Sequence, residues 1–463
     1  MAVTDSDDHF DRTGNIMKNI QQDQLRGLFD AGLTAVDPFR AVTRALRVEN
    51  GNLTAGGSVY DLNSFDRILV VGAGKAAASM AAAVENILGG RIDRGTVIVK
   101  YGHGGKLSTI EQVEAAHPVP DNAGVQGTQR ILELVRRADE KTLVICLLSG
   151  GGSALLVAPL PGITLEDKQK TTELLLRAGA TIDELNAVRK HLSAVKGGRL
   201  AQIACPATMV TLILSDVIGD RLDVIVSGPT APDSSTFSDA LQVIEKYRLQ
   251  SAIPPQAAYF LERGVAGQEQ ETVKSGDASF LRTRNVIIGS SVQALAAVRE
   301  KAAALGWRPE VVTAELQGEA RDAARVLARK AVHALDEMKQ GERRCLLSGG
   351  ETTVVVRGSG KGGRNQELAL AFALEISGIE GISLLSAGTD GTDGPTDAAG
   401  AMVDGSVVNK ARNLGIHPEA YLGNNDSYTF FQRLDSTTGE KHHVLTGPTG
   451  TNVMDMQIVL IER

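Results

Sequence analysis

The chain has 463 residues, of which 43% are hydrophobic and 22% are charged, which suits two α/β domains of ordinary globular composition. A net charge of −7 argues against nucleic acid or an anionic membrane surface as the main partner. The three cysteines give no disulfide framework, and the first 20 residues contain no apolar signal segment. We therefore expect a cytoplasmic protein that binds small molecules and does not span a membrane.

Apolar residues at helical spacing predict a helical segment from about Ile20 to Arg47. After it, apolar runs that end in small residues predict an alternation of strands and helices. The strands expected in the first half are 67–75 with its glycine turn, 95–100, 142–148 and 209–214. The helices expected there are 76–88, 164–178 and 181–195, and the last two open with Thr-x-x-acid capping boxes.

The pattern weakens after Tyr247 and starts again at 285. The strands expected in the second half are 285–289, 310–313, 344–347, 353–357, 382–386 and 456–461, with helices ending near 305 and spanning 318–339. Continuous apolar runs favour mainly parallel sheets that are covered on both faces. The sequence thus predicts two α/β domains, at residues 1–258 and 280–463.

A glycine turn follows the first long apolar run. Gly72-x-Gly74-x-x-Ala77 matches the dinucleotide fingerprint and makes the first domain Rossmann-like. That fingerprint also needs an acidic residue at the end of the next strand to hold the ribose, and Lys100 stands there instead. The pattern therefore disfavours NAD and leaves an anion site, with Lys75 on the first turn of a helix. A surface lysine on a tight turn is the alternative.

One hexapeptide, Cys-Leu-Leu-Ser-Gly-Gly, occurs at 146–151 and again at 345–350, which indicates two strands that end in similar turns. The second copy leads to Glu351 and then to the glycine-rich segment 358–367. This segment is not a Walker A motif, because Gly362 follows Lys361. Instead, we expect flexible glycines to present Lys361 and Arg364 to an anion, with a helix that begins near Asn365.

Two other segments carry charge. Residues 386–397 place carboxylates on a glycine loop after a strand, which suits Mg²⁺, and the position favours Asp390 over Asp393 and Asp397. Residues 186–199 carry several cations at helical spacing, which by themselves indicate only a solvated face. Motifs for hydrolase triads and zinc sites do not occur in the sequence.

Taken together, these segments resemble the glycerate kinase family whose C-terminal part is called the MOFRL domain, and within it the class II glycerate 2-kinases. The matching stretches lie in family order from about Ile68 to Ile461 and include VVGAGKAAASMA, LLSGGGSALL, ELNAVRKHLSAVKGGRLA, ILSDVIGD, LLSGGETTVVV, GKGGRNQE and SAGTDGTDGPTDAAGA. The resemblance implies MgATP-dependent phosphorylation of D-glycerate in a cleft between the two domains. It implies 2-phosphoglycerate as the product, with 3-phosphoglycerate left open, and is compatible with a homodimer.

The resemblance also implies roles for particular residues. The expected catalytic residues are Lys75, Arg364, Asp216 and Glu351. Those expected to bind ATP are Gly150, Gly151, Ser153, Gly349, Gly350, Lys361 and Asn365, those expected to bind glycerate are Lys75, Arg189 and Lys196, and those expected to bind Mg²⁺ are Asp390 and Glu351. Asp216 is the expected base, although it could exchange roles with Glu351. Ser291 departs from the asparagine that is common in the family at that position.

Two other functions stay open at this point. Some similar sequences carry the name hydroxypyruvate reductase in tartrate degradation, so an NAD(P)H-dependent reductase is the second candidate. A sensor of phosphorylated metabolites is the third, although it would have no reason to combine Glu351, Arg364 and Asp390.

Overall fold

The computed structural model describes the backbone of residues 7–463 and the side chains from residue 21 onward. The helices are α1 (Asp7–Ala35), α2 (Pro38–Ala45), α3 (Ala77–Leu88), α4 (Asn122–Val135), α5 (Gly152–Leu155), α6 (Leu165–Arg177), α7 (Ile182–His191), α8 (Arg199–Ala204), α9 (Phe237–Lys246), α10 (Pro255–Val265), α11 (Ser291–Ala304), α12 (Ala320–Glu337), α13 (Arg364–Glu375), α14 (Val407–Asn413), α15 (Pro418–Gly423) and α16 (Ser427–Thr438).

The strands alternate with these helices. They are β1 (Leu46–Glu49), β2 (Asn52–Ala55), β3 (Ser58–Asp61), β4 (Arg67–Ala73), β5 (Arg94–Lys100), β6 (Ile110–Ala115), β7 (Thr142–Leu148), β8 (Thr208–Leu214), β9 (Thr283–Gly289), β10 (Arg308–Leu316), β11 (Arg343–Gly350), β12 (Ile382–Gly388), β13 (Gly400–Asp404), β14 (His443–Val444) and β15 (Asp455–Glu462). The two-domain α/β class is thereby confirmed.

A six-stranded parallel sheet, in the order β6-β5-β4-β7-β8-β9, organises the unit Asp37–Gly289. All seven residues of β7 are buried, since helices cover both faces of the sheet. Alternate strand residues such as Val71 and Cys146 pack on one face against α4 and α8. Because parallel strands end at the same edge, the turns after β4, β7 and β8 all lie at that edge, where α/β folds bind ligands.

A group of helices completes the same unit. Helices α6, α7, α9 and α10 enclose a separate apolar cluster that contains Leu175, Leu185 and Phe237. The capping boxes expected at Thr164 and Thr181 are both present, and each fixes the start of its helix. Strands β1–β3 form a small antiparallel sheet.

The second unit, which consists of residues 1–36 and Ser290–Arg463, is built on a six-stranded mixed sheet in the order β10-β11-β15-β12-β13-β14. Only the pair β10 and β11 is parallel between neighbours, so the expectation of mainly parallel sheets holds for the first sheet alone. The reason is the C-terminal strand β15, which lies antiparallel between β11 and β12. Helices α12 and α13 cover one face with a core of alanine, leucine and phenylalanine.

The unit boundaries differ from the expected 1–258 and 280–463. Strand β9 is hydrogen-bonded to β8, so residues 283–289 belong to the first sheet instead of starting the second domain. The N-terminal helix α1 packs on α11 and β15 and so belongs to the second unit. Residues 1–6 of the expected first domain lie outside the described residues. Contacts distant in sequence decide these boundaries.

Two local predictions were wrong. Residues 353–357 form no strand; apart from one isolated bridge between Thr353 and Glu319, they are irregular. The helix expected from Ile20 to Arg47 is broken at 36–37, where the Asp37 carboxylate caps α2 and Pro38 occupies its first position. No helix of the described residues is long and apolar enough to cross a membrane.

The spacing of β4 and β7 makes a first prediction. A Cβ at Gly72 would lie 2.3 Å from the Leu147 carbonyl oxygen, which the sheet holds in place. Gly72→Ala should therefore lower the free energy of unfolding by about 1–3 kcal/mol, as over-packing does. Urea unfolding with Gly90→Ala as the control tests this, since a Cβ at Gly90 meets nothing within 4 Å. Equal stability of the two variants would contradict the close approach.

Candidate active site

The turn after β4 is bonded to the turn after β7. At Gly74, φ is 143°, and a Cβ there would lie 2.1 Å from Ser149 Oγ. The Lys75 N–H donates to Gly150 O at 2.9 Å, and the Ala76 N–H donates to Ser149 Oγ at 3.1 Å. The close approach of the two turns therefore requires the glycine at 74, and it holds Lys75 beside the Gly150–Gly151 turn.

Three side chains meet that glycine turn. A Cβ at Gly150 would lie 2.3 Å from Asp216 Oδ2, and one at Gly151 would lie 3.3 Å from Lys75 Cγ and 3.0 Å from His117 Cδ2. The structure thus brings together the predicted residues Lys75 and Asp216, which follow β4 and β8. We refer to Lys75, His117, Gly150, Gly151 and Asp216 as the Lys75 cluster.

Sequence reasoning missed His117, which follows β6 and is half-buried. Burial, together with the charges of Lys75, Lys100 and His103, lowers the pKa of His117 to about 4. The imidazole is therefore neutral at pH 7, which leaves Lys75 as the basic side chain that can carry positive charge in this cluster. Its position at the carboxyl end of a parallel strand was the signal that could have identified it.

A hydrogen-bond chain extends from the Lys75 cluster into the helices of the unit. Lys196 Nζ donates to Ser153 O at 2.8 Å and to Ser153 Oγ at 3.1 Å. Ser153 Oγ lies 2.7 Å from Ser227 Oγ, which donates to Asn186 Oδ1 at 2.9 Å. Val226 and Ser227 have φ of 54° and 60°, a strained conformation for a β-branched residue in particular. The strained backbone at Val226 and Ser227 therefore coincides with the place where Ser227 joins the hydrogen-bond network.

The cations of the 186–199 segment do not form a solvated face. Asn186, Lys190 and Lys196 are each at most 3% exposed, and Lys190 Nζ pairs with Asp233 Oδ1 at 3.0 Å. Arg189 and Lys196 line a cavity of about 610 Å³ together with Ser153. The structure therefore brings the predicted substrate residues Arg189 and Lys196 together with one predicted nucleotide residue, Ser153.

In the second unit, Arg364 begins α13 and is held by two carboxylates. Its Nε and Nη2 donate to the two carboxylate oxygens of Asp455 at 2.6 and 2.9 Å, and Nη1 lies 2.9 Å from Glu351 Oε1. Burial opposes the charge, but Asp455 and Glu351 together raise the pKa of Arg364 above its usual value. Asp455 is 0% exposed and was missed, since its strand was expected to begin at 456. Glu351, Arg364, Asp390 and Asp455 form the Arg364 cluster.

The glycines before Arg364 are tightly packed, which corrects the expectation that they are flexible. In each case a Cβ would collide with residues 424–427 or 393; the distances are 2.3 Å at Gly358, Gly360 and Gly362 and 2.2 Å at Gly363. Asn425 Oδ1 accepts hydrogen bonds from the backbone N–H groups of Arg357 and Gly358. The glycines permit close packing that fixes the start of α13, and Asn425 is a positioning residue that the sequence did not reveal.

Of the remaining predicted nucleotide residues of this unit, Lys361 is exposed to solvent, whereas Asn365 and Gly349 are packed against other residues. Lys361 is exposed, with Nζ 4.2 Å from the Tyr428 ring centroid. Asn365 is 1% exposed, and its Oδ1 accepts from Ser386 Oγ at 2.7 Å, so its side chain serves the packing of α13. Gly349 lies so close to Ser291 that a Cβ would be 2.3 Å from Ser291 Oγ.

The two copies of the repeated hexapeptide differ in local structure. The first leaves its strand after Leu148 and turns into α5, whereas β11 continues through Gly350. Each nonetheless brings its first glycine against a polar side chain, that of Asp216 after the neighbouring strand β8 in one unit and that of Ser291 at the start of α11 in the other. Glycine is needed at both positions for close approach.

Two of the three acids on the 386–397 loop are hydrogen-bonded to other elements of the unit, whereas the Asp390 side chain accepts hydrogen bonds from Thr392 of its own loop. Asp393 accepts hydrogen bonds from the backbone N–H groups of Asn365 and Gln366 and so caps α13, while Asp397 accepts from the Tyr428 hydroxyl. Burial raises the pKa of Asp393 to about 6, although these N–H donors oppose the shift. Asp390 is therefore the acid of this loop that is best placed for a ligand.

Asp390 lies close to Asp455 at the end of β12. A Cβ at Gly388 would lie 3.4 Å from the Oδ1 atom of each aspartate. Mg²⁺ is commonly held by one or two carboxylates with waters and phosphate oxygens, which fits this pair. Among the described residues, no group of three or more His, Cys, Asp or Glu is placed to hold a metal ion. Glu351 and Asp455 both pair with Arg364, which makes Asp390 the stronger of the two expected metal ligands.

The ion pair between Arg364 and the buried carboxylate of Asp455 leads to a second prediction. Asp455→Asn should lower the free energy of unfolding by about 3 kcal/mol, because it leaves the Arg364 guanidinium without its buried counter-ion. The control is Asp322→Asn, which removes the exposed partner of Arg325 on α12 and should cost about 0.5 kcal/mol or less. Urea unfolding of both variants tests this, and similar losses would contradict a special role for Asp455.

Family models match two segments of the chain. Residues 24–262 match the domain of unknown function DUF4147, and residues 344–455 match the MOFRL family. The first segment contains the Lys75 cluster, and the second contains the Arg364 cluster.

Similar proteins match over nearly the whole chain. A D-glycerate 2-kinase from Thermotoga maritima is 46% identical over 93% of this chain and 95% of its own length. A protein from Agrobacterium vitis, provisionally named a hydroxypyruvate reductase, is 44% identical over 85% of this chain and 99% of its own length. The crystal structure of glycerate kinase from T. maritima has a TM-score of 0.83 at 42% identity and covers 96% of this chain and 100% of that one.

Proposed function

Because the chain belongs to the glycerate kinase family that combines DUF4147 and MOFRL domains, we propose that it transfers the γ-phosphoryl group of ATP to D-glycerate. The products are 2-phosphoglycerate and ADP. The observation that carries the proposal is identity of 46% to a D-glycerate 2-kinase over 93% of the chain. A cytoplasmic location agrees with three free cysteines, and a homodimer stays a prediction.

The acceptor is assigned to the unit that contains the Lys75 cluster. Arg189 and Lys196 supply positive charge for the glycerate carboxylate, and both line one cavity. Lys75 lies against the glycine turn that also contacts Asp216. Asp216 accepts the proton of the reacting hydroxyl, since it follows a strand at the ligand-binding edge of the sheet. The hydroxyl oxygen then forms the new P–O bond.

The phosphates are assigned to the glycine turns and to the Arg364 cluster. Backbone N–H groups in the turn at Gly150 and Gly151 suit phosphate oxygens, and the exposed Lys361 adds positive charge. Gly349 and Gly350, at the end of β11, stay predicted nucleotide residues. Arg364 neutralises the transferring phosphoryl group, and Glu351 and Asp455 fix the plane of its guanidinium. Phosphoryl transfer needs chiefly such positioning and neutralisation of charge.

Mg²⁺ would be held by Asp390, with Asp455 or Glu351 as the second carboxylate. The ion would neutralise charge on the phosphates. The protein keeps Asp390 available for this, because its side chain accepts hydrogen bonds only from the Thr392 backbone and hydroxyl among the contacts that the described residues make.

A direct assay separates the kinase from the reductase. With Mg²⁺, ATP and D-glycerate, the purified protein should form ADP, and NMR of the product should identify 2-phosphoglycerate. With hydroxypyruvate and NADH or NADPH, we expect no oxidation of the nucleotide, because Lys100 occupies the position of the ribose-binding acid. Oxidation of NAD(P)H in the absence of ATP would overturn the kinase assignment, and the absence of both reactions would favour a sensor.

Arg364 should act on the transition state. Arg364→Ala should lower kcat by about 10²-fold or more, the scale of a preorganised electrostatic group. Arg364→Lys should restore little, since an ammonium group cannot satisfy Asp455 with two parallel hydrogen bonds. Steady-state kinetics with the exposed Arg329→Ala as the control tests this. A kcat within about twofold of the wild type for Arg364→Ala would exclude the role.

Asp390 should control the dependence on metal. EDTA should abolish activity, and excess Mg²⁺ should restore it. Asp390→Asn should raise the Mg²⁺ concentration for half-maximal rate by about tenfold or more, because one carboxylate ligand loses its charge. Asp397→Asn, on the same loop but bonded to Tyr428, serves as the matched control. An unchanged Mg²⁺ dependence for Asp390→Asn would remove Asp390 from the proposed metal site.

A further inference from the structure

The cavity beside the Lys75 cluster is larger than glycerate requires. Its volume is about 610 Å³, and it lies within the unit Asp37–Gly289 between residues 118–120, the start of α5 and helix α6. That volume would hold about 20 water molecules at about 30 Å³ each. Glycerate has only seven non-hydrogen atoms and would leave most of the cavity to water.

One wall of the cavity carries cations that form no ion pair with a described residue, although Glu166 and Glu173 also line the cavity. Lys196 is 2% exposed and donates only to neutral oxygens, those of Ser153 and Val226. Lys168 is 7% exposed and donates to the carbonyl oxygen of Leu192 at 2.8 Å. Arg189 makes no side-chain hydrogen bond or ion pair to any described residue.

The electrostatics of these three groups agree with an anionic ligand. Burial, followed by the charges of neighbouring cations, lowers the pKa of Lys196 well below its usual value and that of Lys168 to about 7. Burial also lowers the pKa of Arg189. Clustered cations without an acid between them are costly to bury, and a bound carboxylate would offset that cost.

The cationic wall is continuous with the reacting centre. His117 and Lys75 contact the position of a Cβ at Gly151, and the neighbouring residues Pro118 and Ser153 line the cavity. A carboxylate on Arg189 and Lys196 would therefore lie in a cavity that borders the Lys75 cluster. The rest of the acceptor would lie along α6.

The α6 wall offers groups suited to a polyhydroxylated chain. Gln169, Thr172 and Glu173 present amide, hydroxyl and carboxylate groups, and Val119 and Leu176 add apolar surface. Such a mixture of apolar walls and a few polar groups is typical of small-molecule sites. An acceptor with only three carbons, such as glycerate, would make no contact with these groups of α6.

We propose that this cavity binds 2-hydroxy acids longer than glycerate, namely sugar acids of four to six carbons, as further phosphoryl acceptors. The inference rests on the proposed kinase function for the transfer step but not for the binding step. In the transfer, the bond between the γ-phosphorus and the bridging oxygen of ATP breaks, and a bond to the 2-hydroxyl oxygen of the sugar acid forms. The hydroxyl proton leaves to a base, and ADP keeps the electron pair.

Calorimetric titration of the full-length protein with D-glycerate, D-erythronate and D-gluconate tests the binding step. At least one of the two longer acids should bind as tightly as D-glycerate or more tightly. Thr172→Trp, which places a large side chain in the cavity, should weaken that longer acid about tenfold more than it weakens D-glycerate. Glu262→Trp is the control, because Glu262 is an exposed residue of α10 and does not line the cavity. Thermal unfolding confirms that both variants are folded.

The outcomes are distinguishable. No binding of either longer acid, or equal effects of the two tryptophan variants, would overturn the assignment of the cavity even if D-glycerate is phosphorylated. Binding without ADP formation, while D-glycerate is turned over, would overturn the longer acids as acceptors. Binding of the longer acids with no ADP from any acceptor would instead refute the proposed kinase function and support the ligand class of the cavity.

Discussion

Close approach of backbone segments at strand ends is the constraint on which both candidate clusters depend. At Gly74 and Gly150, the turns after β4 and β7 leave no room for a Cβ, because Ser149 and Asp216 occupy that space. The same holds at Gly349 and Gly363 in the other unit, against Ser291 and Asp393. Each contact fixes a catalytic candidate relative to a neighbouring strand or helix. At these four positions glycine is thus a requirement of packing, and less a source of flexibility.

The two units differ in whether an acid of the protein compensates the charge of their candidate cations. Arg364 is bound by Asp455 and Glu351, so its charge is compensated within the protein and its orientation is fixed before any ligand arrives. Arg189 and Lys196 have no such acid, and Lys196 meets only neutral oxygens. A preorganised cation suits charge that develops during the reaction, whereas uncompensated cations suit an anion that enters with the substrate. This contrast supports separate assignments for the two groups.

The pattern predicted four strands of the parallel sheet, β4, β5, β7 and β8, because these strands are largely buried and read as continuous apolar runs. It did not reveal the more exposed β6, and it assigned β9 to the other domain. The prediction of secondary structure failed where a segment lacked such a pattern. Residues 353–357 contain Val354, Val355 and Val356 and favour a strand by composition, yet in the structure they pair only through one bridge at Thr353. The cations of helix α7 indicate a solvated face because a single sequence does not show what packs against the helix. In the structure, α6 and α9 pack against it.

The sequence by itself determined the α/β class, the glycine turns, the family and most of the candidate residues, because these depend on local pattern and on short motifs. The tertiary structure alone decided that β9 completes the first sheet, that α1 belongs with the C-terminal residues, and that β15 lies between β11 and β12. It alone revealed His117, Asn425 and Asp455, whose roles arise from contacts with residues that are distant in sequence. Hydrogen bonds and ion pairs of that kind do not produce a periodic pattern in the sequence, since they depend on the positions of the strand ends in the tertiary structure.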